Sequence, residues 1–144
     1  MSESSFASGE TRIYRLNLAY RLYHFAVGAA AFVGAIVVYR FLILSVALGL
    51  FAVFMISRAL VMAVTVDPLS VTLKGLFSEN SLQRASITAV EREHTGKANY
   101  VILWGNLDEK EHLSIPDLFA FDEAWDDWVS TYRDLSDDKP LSLF

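Results

Sequence analysis

The chain has 144 residues, 53% of them hydrophobic and only 20% charged, with a formal net charge of −5 at pH 7. It contains no cysteine, which excludes a disulfide framework, a thiolate metal site and a cysteine nucleophile. The length suits one domain with a membrane anchor.

In chain order, the residues before Thr11 are Ser-rich and include Gly9, a composition expected of a disordered tail. An N-terminal tail is expected over residues 1–18. The segment Thr11–Tyr23 mixes Ile13, Leu16, Leu18 and Leu22 with Arg12, Arg15, Arg21 and Asn17. It fits an interfacial amphipathic helix or a strand that joins a later sheet.

From Leu22 to Val66 the only titratable side chains are Tyr23, His24, Tyr39, Arg40 and Arg58. About 20 apolar residues cross roughly 30 Å of hydrocarbon, so this stretch has the length of two spans. Arg40, between Tyr39 and Phe41, is the natural divider, because a cation flanked by aromatic rings suits an interface. The pattern predicts a transmembrane helical hairpin over 19–66, with spans near Ala19–Tyr39 and Leu42–Val64. No small-x-small cleavage site follows the first run, so it is expected to stay as a span. Gly28 and Gly34, with Ala29, Ala30, Ala31 and Ala35, form a small-residue face for close helix contact. Arg58 lies about one turn from the end of the second run, where its stem can stay apolar while its guanidinium reaches the headgroups.

Arg12, Arg15 and Arg21 precede the first span, whereas the turn carries Arg40 alone. The positive-inside rule then places both termini in the cytoplasm of a multi-pass inner-membrane protein. Arg12, Arg15, Arg21, Arg40 and Arg58 are the candidate membrane-interface residues.

After Asp67-Pro68, short β-like runs alternate with turn signals. Strands are expected at Leu69–Lys74, Ser81–Ser86, Ile87–His94, Ala98–Trp104 and Glu109–Ile115. Ala98–Trp104 is apolar on both faces and reads as a central strand. Ser114-Ile115-Pro116-Asp117 resembles a capping-box opening. Leu118, Phe121, Trp125, Trp128, Val129, Tyr132 and Leu135 follow at spacings of three and four, which predicts an amphipathic C-terminal helix. The expected unit is a β domain over 67–137 closed by that helix, with a tail at 138–144.

This layout, with Leu69-Ser-Val-Thr-Leu-Lys-Gly-Leu-Phe after the hairpin and Leu113-Ser-Ile-Pro-Asp-Leu-Phe-Ala-Phe between the last strand and the helix, resembles the bacterial pleckstrin-homology-like membrane proteins of the YcxB-like group. The family often carries a Pro-Trp pair where this chain has Ala85-Ser86. The resemblance implies an α+β membrane protein, in which a two-helix hairpin precedes a small pleckstrin-homology-like antiparallel domain. Such domains are largely interaction scaffolds, so it carries no catalytic set.

The residues themselves offer little chemistry. His94 and His112, each near glutamates, would form a metal site only if their strands were neighbours, and no ligand spacing such as HExxH occurs. Asp126-Asp127 and Asp137-Asp138 are adjacent pairs that do not face each other on a helix. No catalytic, cofactor or metal residue is therefore assigned, and an enzyme is not expected. From Asp67 onward there are seven basic and fifteen acidic residues, a balance of −8. Nucleic acid and phosphoinositides are disfavoured as ligands, since both call for clustered Lys and Arg. The expected partners are the bilayer and a protein or a second copy of the chain. The favoured reading is a non-enzymatic membrane protein whose cytoplasmic domain serves interaction, assembly or regulation. The alternative is a component of an oligomeric channel or transporter, with Arg58 its sole polar candidate.

Overall fold

The computed structural model describes residues 9–96, 98–106 and 111–136. The chain begins with strand β1 (Arg12–Arg15), followed by helices α1 (Leu18–Val37) and α2 (Leu42–Val61). Six strands follow: β2 (Ala63–Val66), β3 (Ser70–Lys74), β4 (Glu79–Gln83), β5 (Ala89–Thr95), β6 (Ala98–Trp104) and β7 (His112–Pro116). Helix α3 (Glu123–Ser130) and the short strand β8 (Arg133–Asp134) complete it. The layout is α+β: two long apolar helices and two four-stranded sheets, ordered β1-β2-β3-β4 and β7-β6-β5-β8. All pairings are antiparallel except β5 with β8.

Each long helix has 20 residues, and at 1.5 Å per residue spans about 30 Å. Asn17 caps α1 by accepting the Tyr20 N–H at 2.9 Å. The helices pack closely at Gly28, where a Cβ would meet Ile56 Cγ1 at 2.8 Å and the Ala52 carbonyl at 3.3 Å. Near the other end, Ser45 Oγ donates to the Ala35 carbonyl at 2.9 Å. Gly28 and Ala35 of the small-residue face thus pack against the second helix of the same chain, whereas Ala29 and Ala30 are exposed.

The hairpin interrupts the first sheet. The chain leaves β1 at Arg15 and re-enters at Ala63, and those two residues are directly paired. The expected tail over 1–18 therefore holds a strand, whose alternation buries Tyr14 and Leu16 and exposes Ile13 and Arg15. The second helix stops at Val61 rather than reaching Val64, because Ala63–Val66 alternates in burial and is rich in β-branched residues. Asp67-Pro68 accordingly ends a strand, not a helix. The Asp67 carboxylate accepts the N–H groups of Leu69 at 2.8 Å and Ser70 at 2.7 Å, making an Asx turn.

One core joins both sheets and α3. Tyr14, Val64, Val66, Val71 and Leu82 come from the first sheet. Val90, Leu103, Leu113 and Ile115 come from the second, and Phe119, Trp125, Trp128 and Val129 from the C-terminal segment. Register places Val90, Leu103 and Leu113 in one row across the second sheet. β6 lies between β5 and β7, as its two apolar faces predict.

The C-terminal helix is shorter than its apolar spacing predicts. Pro116 ends β7, and Leu118 to Ala120 pair with the start of the chain: Asn17 N–H donates to the Leu118 carbonyl and Ala120 N–H to the Arg15 carbonyl, each at 2.9 Å. Those backbone groups are used between segments, so the helix begins only after Asp122. Residues 1–8, 97, 107–110 and 137–144, the last including the tail expected at 138–144, lie outside the described residues.

Candidate functional site

The distinctive surface is the root of the hairpin, where helices meet sheet. Arg15 at the end of β1 and Lys74 at the end of β3 flank Ala63 on its two sides, and both are exposed. Arg21 lies in the first turns of α1, and its buried Nε has no hydrogen-bond partner among the described residues. Arg58 lies in the last turn of α2, where its Nε donates to Met62 Sδ at 3.3 Å. These four cations gather at the root of a chain that is acidic overall.

The β3–β4 turn rises beside them. Gly75 N–H donates to the Ser78 carbonyl at 2.7 Å, closing a turn whose tip is Leu76-Phe77. Phe77 is 88% exposed, and its ring stacks on Phe54 of α2 with centroids 6.2 Å apart. Between turn and helix lies a cleft of about 250 Å³ lined by Phe54, Arg58, Met62 and residues 75–78.

Of the other predicted interface residues, Arg40 lies in the turn between the helices, at the far end from the sheets. Arg12 faces the domain instead, its Nη1 3.0 Å from Asp122 Oδ2. Asp122 is the N-cap of α3: it accepts the Trp125 N–H at 3.0 Å and the Tyr14 hydroxyl at 2.8 Å. Partial burial alone would raise its carboxyl. The Tyr14 hydroxyl, the Trp125 N–H and Arg12 outweigh that and hold it below the usual carboxylate range. Burial, reinforced by the Asp122 carboxylate, pushes Tyr14 up to about 12.

The histidines do not converge. His94 is paired with Asn99 and His112 with Trp104, near opposite ends of β6, and β6 itself separates their strands. Among the described residues no group of three or more His, Asp or Glu is placed to hold a metal ion. Asp126 and Asp127 are neighbours within α3, while Asp137-Asp138 lie outside the described residues.

An open groove of about 480 Å³ lies on the β domain, between β5–β6 and the segment from Asp117 to α3. It is lined by the rings of Tyr100, Phe121 and Trp125 and by the charged residues Arg92, Glu93, Asp117 and Asp126, among others. Phe121 and Trp125 stack 4.3 Å apart at 14°. Sequence reasoning assigned these rings to a helix stripe and so missed the groove. It also missed the β3–β4 tip, although two large apolar residues in a turn were a visible anomaly.

Comparison with known proteins finds no matching family model, no matching curated protein and no matching solved structure.

Proposed function

We propose that this chain is an integral membrane protein in which α1 and α2 cross the bilayer and the two-sheet domain sits against one membrane face. The observation that carries the reading is the outward face of the hairpin. Only 17% of the most apolar stretch of either helix is buried, whereas a core helix of a soluble protein is mostly covered. Phe32, Val37, Leu42, Ile43, Leu50 and Val53 all point outward from the helix pair, more than half exposed. Apolar surface of that continuity in water marks an interaction or membrane face.

The pairing of Arg15 with Ala63 supports a two-span topology, since both ends of the hairpin enter one sheet. The positive-inside balance favours the cytoplasmic side of the inner membrane for that sheet. Two largely antiparallel sheets sharing a core with a C-terminal helix support the pleckstrin-homology-like reading of the domain. The acidic surface and the aromatic groove beside α3 favour binding of a protein partner, with the domain acting in assembly or regulation rather than catalysis.

Carbonate washing of membranes tests the anchor: the chain stays in the pellet, and release into the supernatant refutes the reading. A C-terminal tag protected from protease in intact cells and cleaved in inverted vesicles tests the orientation. Co-purification in mild detergent tests the partner. A stoichiometric second protein supports the reading, and a lone monodisperse species counts against it.

A further inference from the structure

We infer that the β3–β4 turn is a third membrane contact, its Leu76-Phe77 tip entering the bilayer beside α2. The inference rests on the reading of α1 and α2 as spans.

Direction comes from register. Lys74 pairs with Ala63, the first residue of the strand that leaves the helix root. Residues beyond Lys74 therefore continue past that root and run alongside α2. Position comes from the ring contact. Phe77 stacks on Phe54, which lies about two turns, roughly 10 Å, inside the end of α2. A spanning helix brings Phe54 into hydrocarbon at that depth, and Phe77 lies level with it. Chemistry agrees: a turn tip presented to water is ordinarily polar, yet this one is Leu-Phe, with Phe77 88% exposed. Arg58 lines the cleft at the base of the tip, and Lys74 and Arg15 stand at the same root. Cations below an apolar tip match the order of phosphate and acyl chain in a lipid leaflet. Lipid is the occupant because the tip continues the outward surface of α2. Leu69, also exposed, lies in the β2–β3 turn at the opposite end of those strands and serves as the internal contrast.

The chain has no cysteine, so single Phe77→Cys, Phe54→Cys and Leu69→Cys variants of the full chain can each carry an environment-sensitive fluorophore. They are reconstituted in phosphatidylcholine–phosphatidylglycerol vesicles containing lipids spin-labelled at shallow or deep acyl positions. The expected result is a blue-shifted label at 77, quenched several-fold more than the label at 69 and most strongly by the shallow quencher. Quenching at 54 with a label at 77 that behaves like 69 overturns the inference and leaves the spans standing. A label at 77 that is blue-shifted but unquenched also overturns it, because protein, a second copy or another partner, then covers the tip. No quenching at 54 removes the spans and the inference together.

Discussion

Replacing Asp122 by alanine tests the contact that ties the first strand to the last helix. The carboxylate caps α3 through the Trp125 N–H and accepts the Tyr14 hydroxyl. Loss of an N-cap costs about 1 kcal/mol. Tyr14 is buried, and leaving its hydroxyl without an acceptor costs about 1 kcal/mol more. The ion pair with Arg12 is solvent-exposed and adds little. Asp122→Ala should therefore lose about 2 kcal/mol, and Asp122→Asn, which keeps an acceptor at both positions, clearly less. Urea unfolding in detergent micelles, read by the fluorescence of Trp125 and Trp128, measures the difference. With a slope of about 2 kcal/mol per molar urea, the alanine midpoint falls by about 1 M. A Tyr14→Phe, Asp122→Ala cycle should show coupling of about 1 kcal/mol. An unchanged midpoint, an asparagine variant as damaged as alanine, or strictly additive single effects would refute the reasoning.

Titration gives a second outcome. The carboxyls of Asp122, Asp67 and Asp134 are all held below their ordinary value, so their contribution is complete above the unfolded pKa near 4 and is lost as pH falls through the folded values. Tyr14 is raised to about 12. Its contribution is complete below the unfolded pKa of about 10 and is lost as pH rises through about 12. Urea midpoints measured against pH should fall at both extremes, and Tyr14→Phe should remove its part of the alkaline loss. At the helix contact, Gly28→Leu places atoms against Ile56 and the Ala52 carbonyl and should cost about 1–3 kcal/mol. Gly49→Leu, with open space at that position, should be nearly neutral; helix–helix cross-linking in micelles distinguishes the two. Trp125→Ala removes a side chain only 2% exposed from the shared core. It should cost about 3–5 kcal/mol, seen as lost near-ultraviolet dichroism while the hairpin's helical signal persists.

The two long helices and five of the strands were legible because hydropathy and turn chemistry are local. What escaped was decided by distant pairing. Val64 and Val66 are as apolar as the helix before them, and their partners on both sides, Tyr14 and Arg12 on β1 and Leu73 and Val71 on β3, make them a strand. Leu118 and Phe121 lie at helical spacing from Trp125, yet the backbone bonds of Leu118 and Ala120 with Asn17 and Arg15 hold that stretch outside the helix. Of the five arginines predicted at an interface, Arg15, Arg21 and Arg58 gather at the hairpin root, whereas Arg12 turns to Asp122. Its strand alternation within the mixed Thr11–Tyr23 segment decides for the strand, one of the two readings that segment offered, over an interfacial helix.

Placing an entire helical hairpin between two neighbouring strands imposes a parity rule. β1 is synthesised before either helix, and its partner β2 only after both. On the proposed spanning topology, a chain that stopped after one crossing would leave Arg12–Arg15 across the bilayer from β2, and the first sheet would lack an edge. On that topology only an even number of crossings reunites Arg15 with Ala63, so completing the domain would also register correct threading of the hairpin.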